Sequence, residues 1–218
     1  DIRINLLQCR PLQTIGKFTD VEIPEKIAPE NTIIRDEGNF MGGNISLPIS
    51  RVVFVDPQKY SELSISDKYS IARLIGKLNK KINDRGKMST FLLGPGRWGT
   101  HSPSMGLPVT FSEINNISAI AEISYQDGSM VPELSFGTHF FQDLVETRIF
   151  YLAIYPENPS VVFNKQWFDK LPNMLEAISS ANARFRHVVK VADTTETGLT
   201  LVSDVISQQI ICYLSVKN

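Results

Sequence analysis

Two periodicities run through this chain. Between 66 and 85 the apolar residues Ile71, Ile75, Leu78 and Ile82 recur at i, i+4, i+7 and i+11, the stripe of an amphipathic helix, with Arg73, Lys77 and Lys80 on the opposite face. Ser64 or Ser66 supplies its N-cap and Gly86 its C-terminal stop. Elsewhere, short apolar runs bounded by Pro, Gly and Asp predict strands. Residues 2–9 read as a strand ended by Pro11, Arg51–Val55 as a buried strand stopped at Asp56-Pro57, and Ile149–Ile154 as one ended by Pro156. Thr90–Leu93, Ala119–Ile123, Val188–Ala192, Leu199–Ile206 and Gln208–Ser215 have the same character. The span 12–50 holds Pro24, Pro29, Pro48, Gly38, Gly42 and Gly43 and reads as loop-rich, with short strands near Val21–Ile23 and Thr32–Arg35. Short helices are expected at Phe111–Asn116 (capped by Thr110 or Ser112), Thr138–Glu146, Lys165–Lys170 and Asn173–Ala181. Strands and helices mix without a regular βαβ alternation, which predicts an α+β fold: a mixed β-sheet with a few packed helices.

Composition narrows the function classes. At 218 residues the chain is long enough for a core without disulfide or metal staples. Lys+Arg 22 against Asp+Glu 23 leaves a net charge of -1, so charge gives no case for nucleic acid or an anionic membrane. The basic face of the 66–85 helix reads as a solvated surface, because no aromatic residues are interleaved with it. No apolar run approaches the ~20 residues that span a bilayer. Cys9 and Cys212 stand far apart, which excludes a disulfide framework and a CxxC site; reduced thiols in the cytoplasm are the simpler expectation. The chain opens at Asp1 inside a strand-like pattern, which suggests a piece of a longer protein.

Two glycine-containing stretches carry the candidate chemistry. In Leu93-Gly94-Pro95-Gly96-Arg97-Trp98-Gly99-Thr100-His101, a strand must turn out of its sheet at Pro95. Gly94, Gly96 and Gly99 would let backbone amides approach a ligand, and Arg97 offers a fork for phosphate or carboxylate. The competing reading, simpler on sequence alone, is a tight turn with Trp98 in the core and Arg97 on a carbonyl or an acid. In Leu134-Ser135-Phe136-Gly137-Thr138-His139-Phe140-Phe141-Gln142-Asp143, small residues precede a helix. Thr138 and His139 could meet an anion there, or Ser135 or Thr138 could simply cap a helix whose Phe140 and Phe141 are core. His187, in Arg184-Phe185-Arg186-His187-Val188, suits an edge strand with one wet face and receives no chemistry. The histidines at 101, 139 and 187 lack zinc-ligand spacing, neither cysteine has a neighbouring base, and no GxSxG occurs.

The ending Leu7-Gln8-Cys9-Arg10-Pro11 resembles the last strand of the ATP-grasp-like nucleotide-binding domain of phosphoenolpyruvate synthase and pyruvate, phosphate dikinase. The remainder is similar to the C-terminal region of dikinase-like proteins with a PEP/pyruvate-binding domain. The matching segments are Leu92 to Gly99, Gly106-Leu107-Pro108-Val109-Thr110-Phe111-Ser112-Glu113-Ile114, and Gly137 to Leu144. The resemblance implies that residues 1–13 are the terminal strand of an upstream ATP-grasp-like domain and 14–218 a C-terminal α+β domain. It places Gln8 and Arg10 in the nucleotide-phosphate site. It makes Gly94, Gly96, Arg97, Gly99, Thr138 and His139 candidate anion or interdomain contacts. The parent would bind ATP and Mg2+ and phosphorylate pyruvate, with its lysine, arginine and metal-binding acids before Asp1. Gly137-Thr138-His139 departs from the family's Gly-Gly-x-Thr-x-His phosphohistidine motif. The expected partners are thus the upstream domain and a small phosphoryl donor or acceptor, and the piece itself is expected to be non-catalytic. The rival is a structural or partner-binding domain. Convergence of Arg97 and His139 on one solvent-open cleft near Arg10 would favour a ligand role; Trp98 and Phe140 in the core, with Arg97 paired to an internal acid, would favour the rival.

Overall fold

A computed structural model describes residues 21–24, 26–124 and 139–215. In chain order the strands and helices are β1 (Thr32–Glu37), β2 (Phe40–Met41), β3 (Ile45–Pro48), β4 (Arg51–Val55), α1 (Pro57–Ser61), α2 (Ile65–Asn79), β5 (Thr90–Pro95), β6 (Arg97–Trp98), β7 (Gly106–Leu107) and β8 (Ala119–Ile123). Then follow α3 (His139–Glu146), β9 (Phe150–Ile154), β10 (Val162–Phe163), α4 (Lys165–Lys170), α5 (Leu175–Ile178), β11 (Val189–Asp193), β12 (Leu199–Asp204) and β13 (Gln209–Leu214).

Among the described residues the strands form a six-stranded sheet in the order β11-β4-β5-β8-β9-β2, a five-stranded sheet β10-β1-β13-β12-β3, and the small pair β6-β7. The four inner strands of the larger sheet are mutually parallel, and its edge strands β11 and β2 run antiparallel. The five-stranded sheet is antiparallel throughout. The fold is α+β, as the sequence predicts, although the parallel run from β4 to β9 was not legible in it.

The layers follow from side-chain alternation. Along β4, Val53 and Val55 join one core with Leu92, Ile120, Tyr151 and Ala153, against Ile71, Leu74, Ile75 and Leu78 of α2 and Leu144 of α3. Val52 and Phe54 point the other way, with Phe91, Leu93, Ala121 and Leu152, onto Ile34, Leu201, Ile210 and Cys212 of the five-stranded sheet. Helices, mixed sheet and antiparallel sheet therefore stack in three layers. The middle layer is covered on both faces, which is why β4, β5, β8 and β9 read as near-continuous apolar runs.

Several boundaries differ from expectation. Helix α2 is capped by the Ser64 hydroxyl, which accepts from the Asp67 amide at 3.1 Å, but it stops at Asn79, not Gly86. There the buried Asn79 amide donates to Asn115 Oδ1 at 2.9 Å and its oxygen accepts from the Asn116 amide at 2.9 Å, turning the chain early. Ile82 is still buried, one turn beyond the helix. Residues 21–24 form no strand; Pro24 and Pro29 lack the amide protons a ladder needs. Edge strand β3 was not anticipated, and it tolerates Pro48 because its outer side is unpaired. Arg184–His187 is not an edge strand. Amide bonds from Arg186 to Ala183 and from Val188 to Phe185 curl it into a turn before β11. The expected helix 173–181 is reduced to α5 and a 3-10 segment, Ser180–Phe185. Among the described residues no helix is long and apolar enough to cross a membrane.

Candidate functional site

The carboxyl ends of parallel strands are where sheets of this kind usually meet ligands. Here the end of β5 carries the Gly94–Gly99 loop, and the segment after β8 leads to α3. Trp98 is fully buried, and its indole donates to the Ala121 carbonyl at 3.0 Å. Beneath it lies Glu122, a fully buried carboxylate in the middle of the sheet. Glu122 accepts from the Trp98 amide at 2.8 Å and from the Tyr151 hydroxyl at 2.7 Å. Phe141 of α3 packs edge-on to Tyr151, with ring centres 5.1 Å apart. Glu122 thereby links the loop, two strands and α3. Past the end of β9, burial pushes the Tyr155 hydroxyl up, and the charges of Glu122 and Asp36 push it further.

The loop glycines answer to packing. A Cβ on Gly94 would stand 2.7 Å from the Trp98 ring. Gly99 has φ +76, and a Cβ there would come within 2.4 Å of the Phe140 ring. The two motifs singled out in the sequence, Leu92–Gly99 and Gly137–Leu144, therefore touch. The loop's amides are consumed internally. Gly96 donates to the Ile123 carbonyl, Arg97 to Met105, Trp98 to Glu122 and Gly99 to Leu107, each at 2.8–2.9 Å. An anion cradled by these amides would have to displace protein acceptors. Arg97, the one charged residue of Gly94–Gly99, is half-buried at the turn with its Nε away from solvent. Phe140 is half-buried against the helix-side core. Gln8, Arg10, Thr138 and the His139 side chain lie outside the described residues.

A second concentration of charge escaped the sequence reading. Asp56, just after β4, is nearly fully buried. It caps α1 by accepting from the Lys59 amide at 3.1 Å and receives the Lys165 ammonium at 2.8 Å. Lys165 also reaches Asp169 at 2.9 Å. Burial works to raise the Asp56 carboxyl, but the bonds from Lys165 and Lys59 outweigh it and hold the group below its ordinary range. Burial likewise works against the Lys165 ammonium, yet its two aspartates leave it above the usual lysine range. Beside this clasp opens a cavity of about 470 Å3, floored by Phe54, Val188 and Val189 and rimmed by Lys59, Arg186 and Lys190. No motif spacing could reveal it, because Asp56 and Lys165 are 109 positions apart. Among the described residues no three His, Cys, Asp or Glu side chains gather as metal ligands.

The chain matches no protein-family model, no curated protein and no solved structure.

Proposed function

We propose that this chain is the carboxyl-terminal part of a phosphotransferase resembling phosphoenolpyruvate synthase. The parent would bind ATP and Mg2+ through an upstream ATP-grasp-like domain, to which Gln8 and Arg10 contribute, and pass a phosphoryl group to pyruvate. Residues 14–218 would serve as a non-catalytic domain that supports the ligand or interdomain surface. The observation that carries this reading is the meeting of the two resemblance motifs at Gly99 and Phe140, on the carboxyl side of the parallel strands. In that setting Arg97 supplies a charge able to hold a phosphate or carboxylate oxygen, and catalysis in the parent would rest on such positioning.

A second reading is favoured by the internal bonding of the loop: the chain is a structural or partner-binding domain in which Gly94–Gly99 only fastens β5 to β8 and α3. Thermal-shift titration of the 218-residue chain with Mg-ATP, phosphate, pyruvate and phosphoenolpyruvate separates the two. A ligand at 100 times its Kd stabilises by about 2.7 kcal/mol. A saturable shift abolished by Arg97→Ala, with unliganded stability unchanged, supports the phosphotransferase reading. A large loss of stability in Arg97→Ala, with no ligand response in the unsubstituted 218-residue chain, supports the structural one.

A further inference from the structure

The cavity beside β11 holds one lysine that its carboxylates do not pair. Each of its carboxylates is matched. Asp56 is held by Lys165 at 2.8 Å with Lys59 at 3.7 Å, Asp169 by Lys165 at 2.9 Å, and Glu176 by Arg186 at 3.2 Å. Lys190 differs. It sits opposite Phe54 in the β11–β4 ladder, so its stem runs along the apolar floor. Its ammonium donates to the neutral main-chain carbonyl of Asp169, and among the described residues it forms no ion pair. Burial pushes its ammonium below the usual lysine range and Lys59 and Lys165 add to that, while the nearby charges of Asp169 and Asp56 pull the other way without reversing it. The lining thus holds three cationic side chains and three carboxylates, but Lys165, behind the wall, already holds Asp56 and Asp169, which leaves Lys190 without an ion-pair partner among the described residues.

We propose that this cavity binds a small anion bearing a carboxylate or phosphate group, with Lys190 as its principal counter-charge, Lys59 beside it, and Phe54 and Val188 beneath its apolar part. The inference does not rest on the phosphotransferase reading. An anion supplies the ion pair that Lys190 lacks and accepts a charge-assisted hydrogen bond from its ammonium. The size fits a metabolite, since small-molecule pockets run roughly 300–1,000 Å3. The Asp56–Lys165–Asp169 clasp fixes the wall against which the ligand would sit.

The test is a titration of the 218-residue chain, followed through backbone amide NMR shifts, with inorganic phosphate in one arm and malonate in the other. Sodium chloride at matched ionic strength is the reference. Saturable shifts centred on Asp56, Lys59 and Arg186–Lys190 are expected in at least one arm. Response to phosphate alone marks a phosphoryl ligand and response to malonate alone a carboxylate, and either supports the proposal. Lys190→Ala should weaken binding by about tenfold or more, the loss of one charge-assisted bond. Arg97→Ala should leave it unchanged, which keeps this outcome distinct from that of the loop. If Lys190→Ala does not fold, Lys59→Ala, altering a half-exposed side chain, takes its place with a smaller expected loss. Shifts that chloride reproduces, or binding that survives the lysine substitution intact, would overturn the proposal.

Discussion

A single carboxylate, Glu122, decides whether the Gly94–Gly99 loop keeps its shape. It satisfies a buried amide and a buried hydroxyl that have no water to fall back on. Glu122→Ala leaves both donors without that acceptor, at about 1–3 kcal/mol each. The expected loss in urea unfolding is therefore on the order of 3 kcal/mol or more, with the m-value unchanged. Glu122→Gln keeps an oxygen for the Trp98 amide and should lose less than half as much. Equal losses for the two substitutions would show that the charge, and not the acceptor geometry, holds the loop. The acid itself was invisible in the sequence: Ala119–Ile123 reads as an apolar strand with one polar residue, and alternation alone would turn that residue toward water. Only the loop folding over it explains a carboxylate at that depth.

Helix α2 shows how far local pattern reaches at the scale of an element. Its stripe, its cap at Ser64 and its basic face were all legible, because each depends on residues within four positions of one another. Its end was not, because the stop comes from Asn115 and Asn116, which lie outside the helix. Asn79→Ala should therefore cost about 2 kcal/mol, through buried donors and acceptors left unmet. Gly86→Ala should change stability by under about 0.5 kcal/mol, the usual range for a surface site. The reverse order in chemical denaturation would restore Gly86 as the helix stop. The same division runs through the rest of the fold. The runs Arg51–Val55, Ala119–Ile123 and Ile149–Ile154 were found as strands, since burial on both faces writes itself into composition. Their parallel pairing was not, and neither was the Asp56–Lys165 clasp, since both are long-range facts. Of the loop site, Gly94, Gly99 and Arg97 were picked out for their rarity as a pattern, whereas their packing against Trp98 and Phe140 was legible only as an alternative.

At the scale of the whole molecule, the clasp ties the end of β4 to α4 and gives stability a predictable pH dependence. The Asp56 carboxyl is depressed on folding, so its contribution is complete above its ordinary value of 3.8 and is lost as pH falls through the lower folded value. Lys165 is raised, so its share is complete below its ordinary 10.5 and is lost as pH rises beyond the folded value. Asp56→Asn should cost about 1–2 kcal/mol near neutrality. That gap should close as both proteins are taken below pH 3.8. Asp36, which burial holds above its ordinary value, contributes with the opposite sign in both proteins and cancels in the difference. A gap that stays constant into acid would mean that Asp56 acts through its capping shape alone.

The antiparallel sheet has a consequence in time. Its central strand, β13, lies between β1 and β12, so Thr32 finds Tyr213 and Glu37 finds Gln209 only after about 170 to 180 further residues have been made. At roughly 5–20 residues per second of synthesis, β1 waits on the order of ten to forty seconds for that neighbour. Throughout that interval the edge of β1 that β13 will cover keeps its backbone groups open to other nascent chains. Yield in the cell should therefore depend less on how stable the finished protein is than on what shelters β1 on the ribosome.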